Sequence, residues 1–134
     1  SPQMNFVDAK CKVVGNKVYL VAGPSEIELP PAKAKKLIDG GYEGKTVVLG
    51  IRPEDVHDEQ MFIETSPNTV IEAKIRVYEM LGAEVFLYFD YEGSSMTARV
   101  DPRTTARTGD TVTFAFDAEK IHVFDKETEK TITN

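Results

Sequence analysis

Residues 70–77 read Val-Ile-Glu-Ala-Lys-Ile-Arg-Val, with apolar side chains at Ile71, Ala73, Ile75 and Val77. Successive side chains of a strand point to opposite faces, so this alternation predicts a strand with one face buried and one wet. The same period returns along the chain. Asp8–Val14 alternates, Gly15-Asn16 gives a turn, and Val18–Ala22 reads as the hairpin partner. Ile27–Leu29, Val47–Arg52, Met61–Glu64, Glu84–Tyr91, Ser95–Val100, Thr111–Phe116, Ile121–Phe124 and Thr131–Thr133 read as further strands. Met96, Ala98 and Val100 share one side, and so do Val112, Phe114 and Phe116. One helix is predicted over Ala32–Ile38, with Pro31 at its N-terminal end and Gly40-Gly41 closing it. Many short strands with turn residues between them fold into a small barrel or sandwich. The chain reads as a single domain over 1–134, and its candidate internal boundary is Ser66-Pro67-Asn68.

Val47-Val48-Leu49-Gly50-Ile51-Arg52-Pro53-Glu54-Asp55-Val56 departs from simple alternation. Its first half favours a pleated, buried surface. Gly50 removes a side chain where another group can come close. Pro53 holds Arg52 extended and suits the first position of a helical turn, whose free N–H groups favour Glu54 and Asp55. The segment is therefore read as strand, corner and one helical turn.

A chain of 134 residues buries about two-thirds of its unfolded surface and folds without disulfides. The lone cysteine, Cys11, permits no intrachain disulfide. A formal net charge of −6 argues against general nucleic-acid binding, which rests on phosphate neutralisation. Phe86, Tyr88 and Tyr91 are the aromatics that such binding would use for stacking, and alternating aromatics also build cores. No apolar run approaches the ~20 residues that span a bilayer.

Catalytic patterns are missing from the sequence. It has no glycine-rich phosphate loop, no dinucleotide fingerprint and no cysteine pair for structural zinc. Cys11 with His57 or His122 is the one conceivable thiol–imidazole pair, and a lone strand cysteine is ordinarily a small buried hydrophobe. Asp55-Val56-His57-Asp58-Glu59 carries metal-type ligands, and on an extended segment Asp55, His57 and Glu59 share a face. Nothing else in the sequence completes a shell, so the segment reads as a solvated turn and no metal site is expected. Arg99, Arg103 and Arg107 fit either an oxyanion cradle or surface pairing with Asp101 and Asp110. Lys33, Lys35 and Lys36 read as the solvated face of the short helix. These residues define an acidic all-β domain of binding or regulatory type.

Four stretches, in order, resemble one family. Ser1-Pro2-Gln3-Met4-Asn5-Phe6 resembles the segment after the nucleotide-binding domain in ATP-binding subunits of sugar-import ABC transporters, of the maltose and multiple-sugar type. Leu49-Gly50-Ile51-Arg52-Pro53-Glu54 resembles that family's C-terminal signature. Val77-Tyr78-Glu79-Met80-Leu81-Gly82-Ala83-Glu84 resembles its strand and turn. Gly109–Phe114 with Phe116–Asp125, including Glu119 and His122, resembles its closing pattern.

The resemblance implies an all-β fold with one or two short helices, an OB-type β-barrel of the MOP or TOBE kind. It implies a regulatory and dimerisation domain, non-catalytic in itself, with a nucleotide-binding domain upstream of residue 1 holding the ATP and Mg. No cofactor or metal is implied for this chain. Expected partners are a second copy of the ATPase subunit, the membrane subunits through the upstream domain, and a phosphotransferase-system regulator. The expected place is the cytoplasmic face of the cell membrane. Gly50, Arg52, Pro53, Glu54, Glu79, Gly82, Glu84, Glu119 and His122 are the signature positions, candidates for structural corners or for dimer and regulator contacts. Arg52 is expected to pair with Glu54 or with a carboxylate across the barrel. A stand-alone oxyanion-binding module of molybdate type is the alternative reading.

Overall fold

The computed structural model describes residues 3–134; Ser1 and Pro2, which open the first family-like stretch, lie outside the described residues. The fold is all-β with two short helices. The strands are β1 (Asn5–Val14), β2 (Lys17–Ala22), β3 (Ser25–Glu28), β4 (Thr46–Ile51), β5 (Val56–His57), β6 (Val70–Leu81), β7 (Glu84–Tyr91), β8 (Ser94–Val100), β9 (Thr111–Phe116), β10 (His122–Asp125) and β11 (Thr131–Thr133). The helices are α1 (Pro31–Asp39) and α2 (Gln60–Glu64). Six strands form one antiparallel sheet in the order β11-β10-β4-β1-β2-β3. The other five form a second in the order β5-β9-β6-β7-β8.

The two sheets fold into an OB-type barrel around one shared core. Val7, Cys11, Leu20, Leu49 and Ile51 come from the first sheet, and Ile71, Ile75, Leu87, Phe89 and Phe114 from the second. Phe89 and Phe114 stack at 4.7 Å between ring centroids. Asn5, on β1, clips the free edge of β8. Its side-chain amide donates to the Thr97 carbonyl at 2.9 Å and accepts from the Thr97 N–H at 2.8 Å. The Tyr91 hydroxyl donates to the Ala22 carbonyl at 2.8 Å and ties β7 to β2.

The chain passes between the sheets twice. Arg52–Asp55, a 3₁₀ turn begun by Pro53, leads from β4 to β5. Asp117–Ile121 leads back from β9 to β10. The Asp117 N–H donates to the Asp55 carbonyl at 2.9 Å, so the two crossovers lie against each other. The strand, corner and helical turn expected for 47–56 are present. Ser66-Pro67-Asn68 falls in the turn before β6.

Three local expectations are corrected. Met61–Glu64 is helical: within α2 the Ile63 N–H bonds to the Glu59 carbonyl, and Gln60 reaches Glu64 at 3.1 Å. A short apolar run fits either period. Val77 is exposed, because β6 carries an extra residue between Ile75 and Val77. Such a bulge turns the residues beyond it to the other face. Lys33 is not on the solvated face of α1; it is buried and donates to the Asn134 backbone oxygen. Burial pushes the Lys33 ammonium below its ordinary range, with Glu119 opposing.

Candidate functional site

The family-like residues fall into three groups. The first surrounds Gly50 on the outer face of the first sheet. Gly50 lies opposite Phe6 on β1 and His122 on β10. A Cβ built on Gly50 would lie 2.8 Å from Met4 Sδ, 2.9 Å from Phe124 Cε2 and 3.4 Å from Phe6 Cε1. The glycine is therefore the floor on which Met4, Phe6 and Phe124 pack. Phe6 and Phe124 meet edge to face at 5.8 Å, and the His122 ring runs parallel to Phe124 at 6.4 Å.

Among the described residues Arg52 forms no ion pair with Glu54 or any other carboxylate. Its Nη1 lies 3.1 Å from His122 Nε2, and His122 Nδ1 lies 3.1 Å from Asn134 Oδ1. A guanidinium only donates, so Nε2 accepts and the proton sits on Nδ1, which donates to Asn134. The proline after Arg52 holds its backbone extended, at φ −77° and ψ 151°, which aims the side chain along this face. Pro53 is buried and Glu54 is exposed at the start of the turn.

The second group is the β6–β7 hairpin. Gly82 takes φ +62° in a two-residue turn between Leu81 and Glu84, where a side chain would be strained. Glu79 accepts from the Tyr88 hydroxyl at 2.9 Å; burial, then this bond, pushes the Tyr88 phenol above its ordinary range. Glu84 lies 3.7 Å from Arg99. The outer face of β7 and β8 and the first residues of β1 bound a cleft of about 710 Å³. Its walls include Met4, Leu81, Phe86, Tyr88, Arg99 and Glu84. Met4 belongs to both groups, so Gly50, Arg52, His122 and Glu84 border one surface. Phe6 and Leu81, each at least half exposed, stand at its rim, whereas exposed Met80 pairs with the buried Val85 and projects from the other face of the hairpin.

The third group is separate. Glu119 lies on the second crossover, where its N–H is capped by Asp117 Oδ1 at 3.2 Å. It faces a smaller cleft with Pro30, Pro31 and Pro67.

At the crossovers, ligand atoms of Asp55, His57 and Asp117 all lie within 4.8 Å of one another. Burial, with repulsion from Glu54 and Asp117, pushes the Asp55 carboxyl above its ordinary range. Glu59, expected on one face with Asp55 and His57, lies beside His57 and takes a hydrogen bond from its Nδ1 at 3.0 Å, but it is Asp117 that joins Asp55 and His57. Asp117 was not legible as their neighbour, because no sequence period links positions so far apart. The same holds for Met4 and Asn134 beside Gly50 and His122.

The other candidates do not assemble. Arg99 pairs with Glu84, Arg103 with Asp101 at 3.0 Å, and Arg107 lies over the Tyr78 ring at 4.6 Å, so the three arginines form no common cradle. Phe86 and Tyr88 lie on the outer face of β7, whereas Tyr91 is buried in the core, so they are not one stacking platform. Cys11 is wholly buried in the core, and burial pushes its thiol up. His57 and His122 make their hydrogen bonds elsewhere.

Two interleaved antiparallel sheets around one core define an all-β barrel of OB type. The chain matches the TOBE domain over residues 49–124 and the MalK OB fold domain over residues 1–56. It belongs to the TOBE domain family. Over 96% of its length it is 43% identical to the oligosaccharides import ATP-binding protein MsmX of Bacillus subtilis, of which it covers 34%. It is 35% identical to the multiple sugar-binding transport ATP-binding protein MsmK of Streptococcus mutans, over 98% of the chain and 34% of that protein. It is 34% identical to the trehalose/maltose import ATP-binding protein MalK of Thermococcus litoralis, over 98% of the chain and 35% of that protein. The chain therefore spans about a third of the length of these relatives. Among solved structures, the cytoplasmic molybdate-binding protein ModG superposes with a TM-score of 0.65 at 12% identity, over 92% of this chain and 95% of that one, a likeness of fold. Among the described residues no helix is long and apolar enough to cross a membrane.

Proposed function

We propose that this chain is the regulatory, non-catalytic domain of the ATP-binding subunit of an ABC importer for sugars. The observation that carries the reading is the 43% identity to an oligosaccharide-import ATP-binding protein across 96% of the chain. In this reading ATP and Mg bind a separate nucleotide-binding domain, and the subunit works as a homodimer on the cytoplasmic face of the membrane subunits. The face bordered by Gly50, Arg52, Glu84 and His122 is the contact surface, for the second copy or for a phosphotransferase-system regulator. Its exposed Phe6 and Leu81 support this, since apolar side chains grouped on a surface mark interaction sites. A ligand that binds one state of the dimer better would bias the transport cycle.

A chimera tests the reading. The matching third of Bacillus subtilis MsmX is replaced by this chain, and oligosaccharide uptake is followed in cells lacking the native subunit. Uptake is expected to persist. Loss of uptake by a stable, ATP-hydrolysing chimera would sink the proposal, and so would ATP turnover by the 134-residue chain alone. The oxyanion reading is favoured by the fold likeness to ModG, and lacks an arginine cradle. Calorimetric binding of molybdate by the isolated chain would revive it.

A further inference from the structure

We infer that Asp55, His57 and Asp117 form a binding site for a divalent transition ion of zinc type, bridging the two crossovers. Asp55 and His57 come from the first crossover and the strand after it, Asp117 from the second. All three are half-buried and their ligand atoms lie within 4.8 Å of one another. Zinc bonds of about 2.0–2.2 Å put tetrahedral ligand atoms roughly 3.4 Å apart, a distance that small side-chain rotations reach from here. Two carboxylates and one imidazole supply three ligands and leave the fourth position to water, a common zinc arrangement. The imidazole sets this apart from a calcium or magnesium site, which takes oxygen ligands.

The histidine is prepared for the role from behind. A carboxylate only accepts, so His57 Nδ1 carries the proton and donates to Glu59 Oε2 at 3.0 Å. This leaves the Nε2 lone pair free for a metal. An outer carboxylate on the far nitrogen is the usual support of a metal-bound histidine. Phe62 stacks on the imidazole at 4.0 Å and 20°, fixing the ring plane. Asp55 and Asp117 make no ion pair among the described residues, although Lys120 lies close enough to lower the Asp55 carboxyl slightly. Two facing carboxylates carry negative charge that a bound cation would offset. The inference does not depend on the transporter reading.

The test is titration of the EDTA-stripped 134-residue chain with ZnCl₂ by calorimetry. One ion per chain is expected. Asp117→Asn and His57→Gln should each weaken binding at least tenfold, and Glu59→Gln by about 10–100-fold. Asp90→Asn, on the exposed side of β7, should leave affinity unchanged. If a ligand variant loses its fold by circular dichroism, NMR of the unaltered chain decides. The His57 ring resonances should move with added zinc while those of His122 stay. Binding of no ion, unchanged affinity in the ligand and Glu59 variants, or movement of His122 in place of His57 would overturn the site.

Discussion

Asp125 shows how one residue can hold a loop by charge. Its carboxylate accepts the Thr128 N–H at 2.8 Å, the Glu127 N–H at 2.9 Å and the Tyr42 hydroxyl at 2.7 Å. The Thr128 amide and the Tyr42 hydroxyl are the largest causes that lower this carboxyl to about 2 from its ordinary 3.8. The hydrogen bond to Asp125 raises the Tyr42 phenol above its ordinary 10.0. A carboxyl depressed by folding stabilises the fold above its unfolded pKa, and that contribution fades as the pH falls from about 3.8 through about 2. The raised phenol works the other way: its contribution is complete below 10.0 and fades as the pH rises past its folded value. Tyr42→Phe should therefore remove the alkaline loss and raise the Asp125 carboxyl partway towards 3.8, since the amide donors remain. Carboxyl-carbon NMR titration reads this directly, and an Asp125 titration identical in both proteins would refute it.

At the scale of elements, the joint between the sheets rests on a side chain imitating a strand. Asn5 is 4% exposed and satisfies both outward polar groups of Thr97 on the edge strand β8. Asn5→Ala would leave a backbone donor and acceptor without partners, at a cost of about 1–3 kcal/mol. The expected result is a lower urea midpoint with faster exchange at the Thr97 amide and little change in β2. Thr97 exchange as slow as in the parent chain would count against this account. The strands themselves were legible, because period-two patterning is local: β1, β2, β7, β8 and β9 lie where alternation predicts them. The bulge after Ile75 was not, since the alternation of Ile75 and Val77 runs through it unbroken. Nor was α2, whose apolar run suits either period. The candidate site divides the same way. The signature residues stood out in the sequence, but the Arg52 to His122 bond spans 70 positions, and only the pairing of β10 with β4 creates it.

The whole molecule is more tightly interleaved than its two family matches suggest. Residues 1–56 and 49–124 match different domain families; the second stretch holds all five strands of the second sheet, yet the first holds only four of the six strands of the first sheet. The first sheet needs β10 and β11, which follow the second sheet in sequence, and β4 has β10 as one of its two neighbours. The core is continuous across both sheets. Removing one sheet would expose the core of the other, so the chain should unfold in a single step. Cys11 and the tyrosines offer separate probes. Cys11 is wholly buried in the first sheet with its thiol pushed up by burial, so it should resist thiol reagents until that sheet opens. Tyr78, Tyr88 and Tyr91 all lie on β6 and β7 of the second sheet, and Tyr19 and Tyr42 lie outside it. With Tyr19 and Tyr42 replaced by phenylalanine, tyrosine fluorescence reports the second sheet alone. Its urea transition and that of Cys11 labelling should share one midpoint, and residues 1–56 expressed alone should lack a cooperative transition. Reaction of Cys11 at urea concentrations where the tyrosine signal is still native would show that the first sheet opens by itself, and the barrel would then be two units joined at their crossovers.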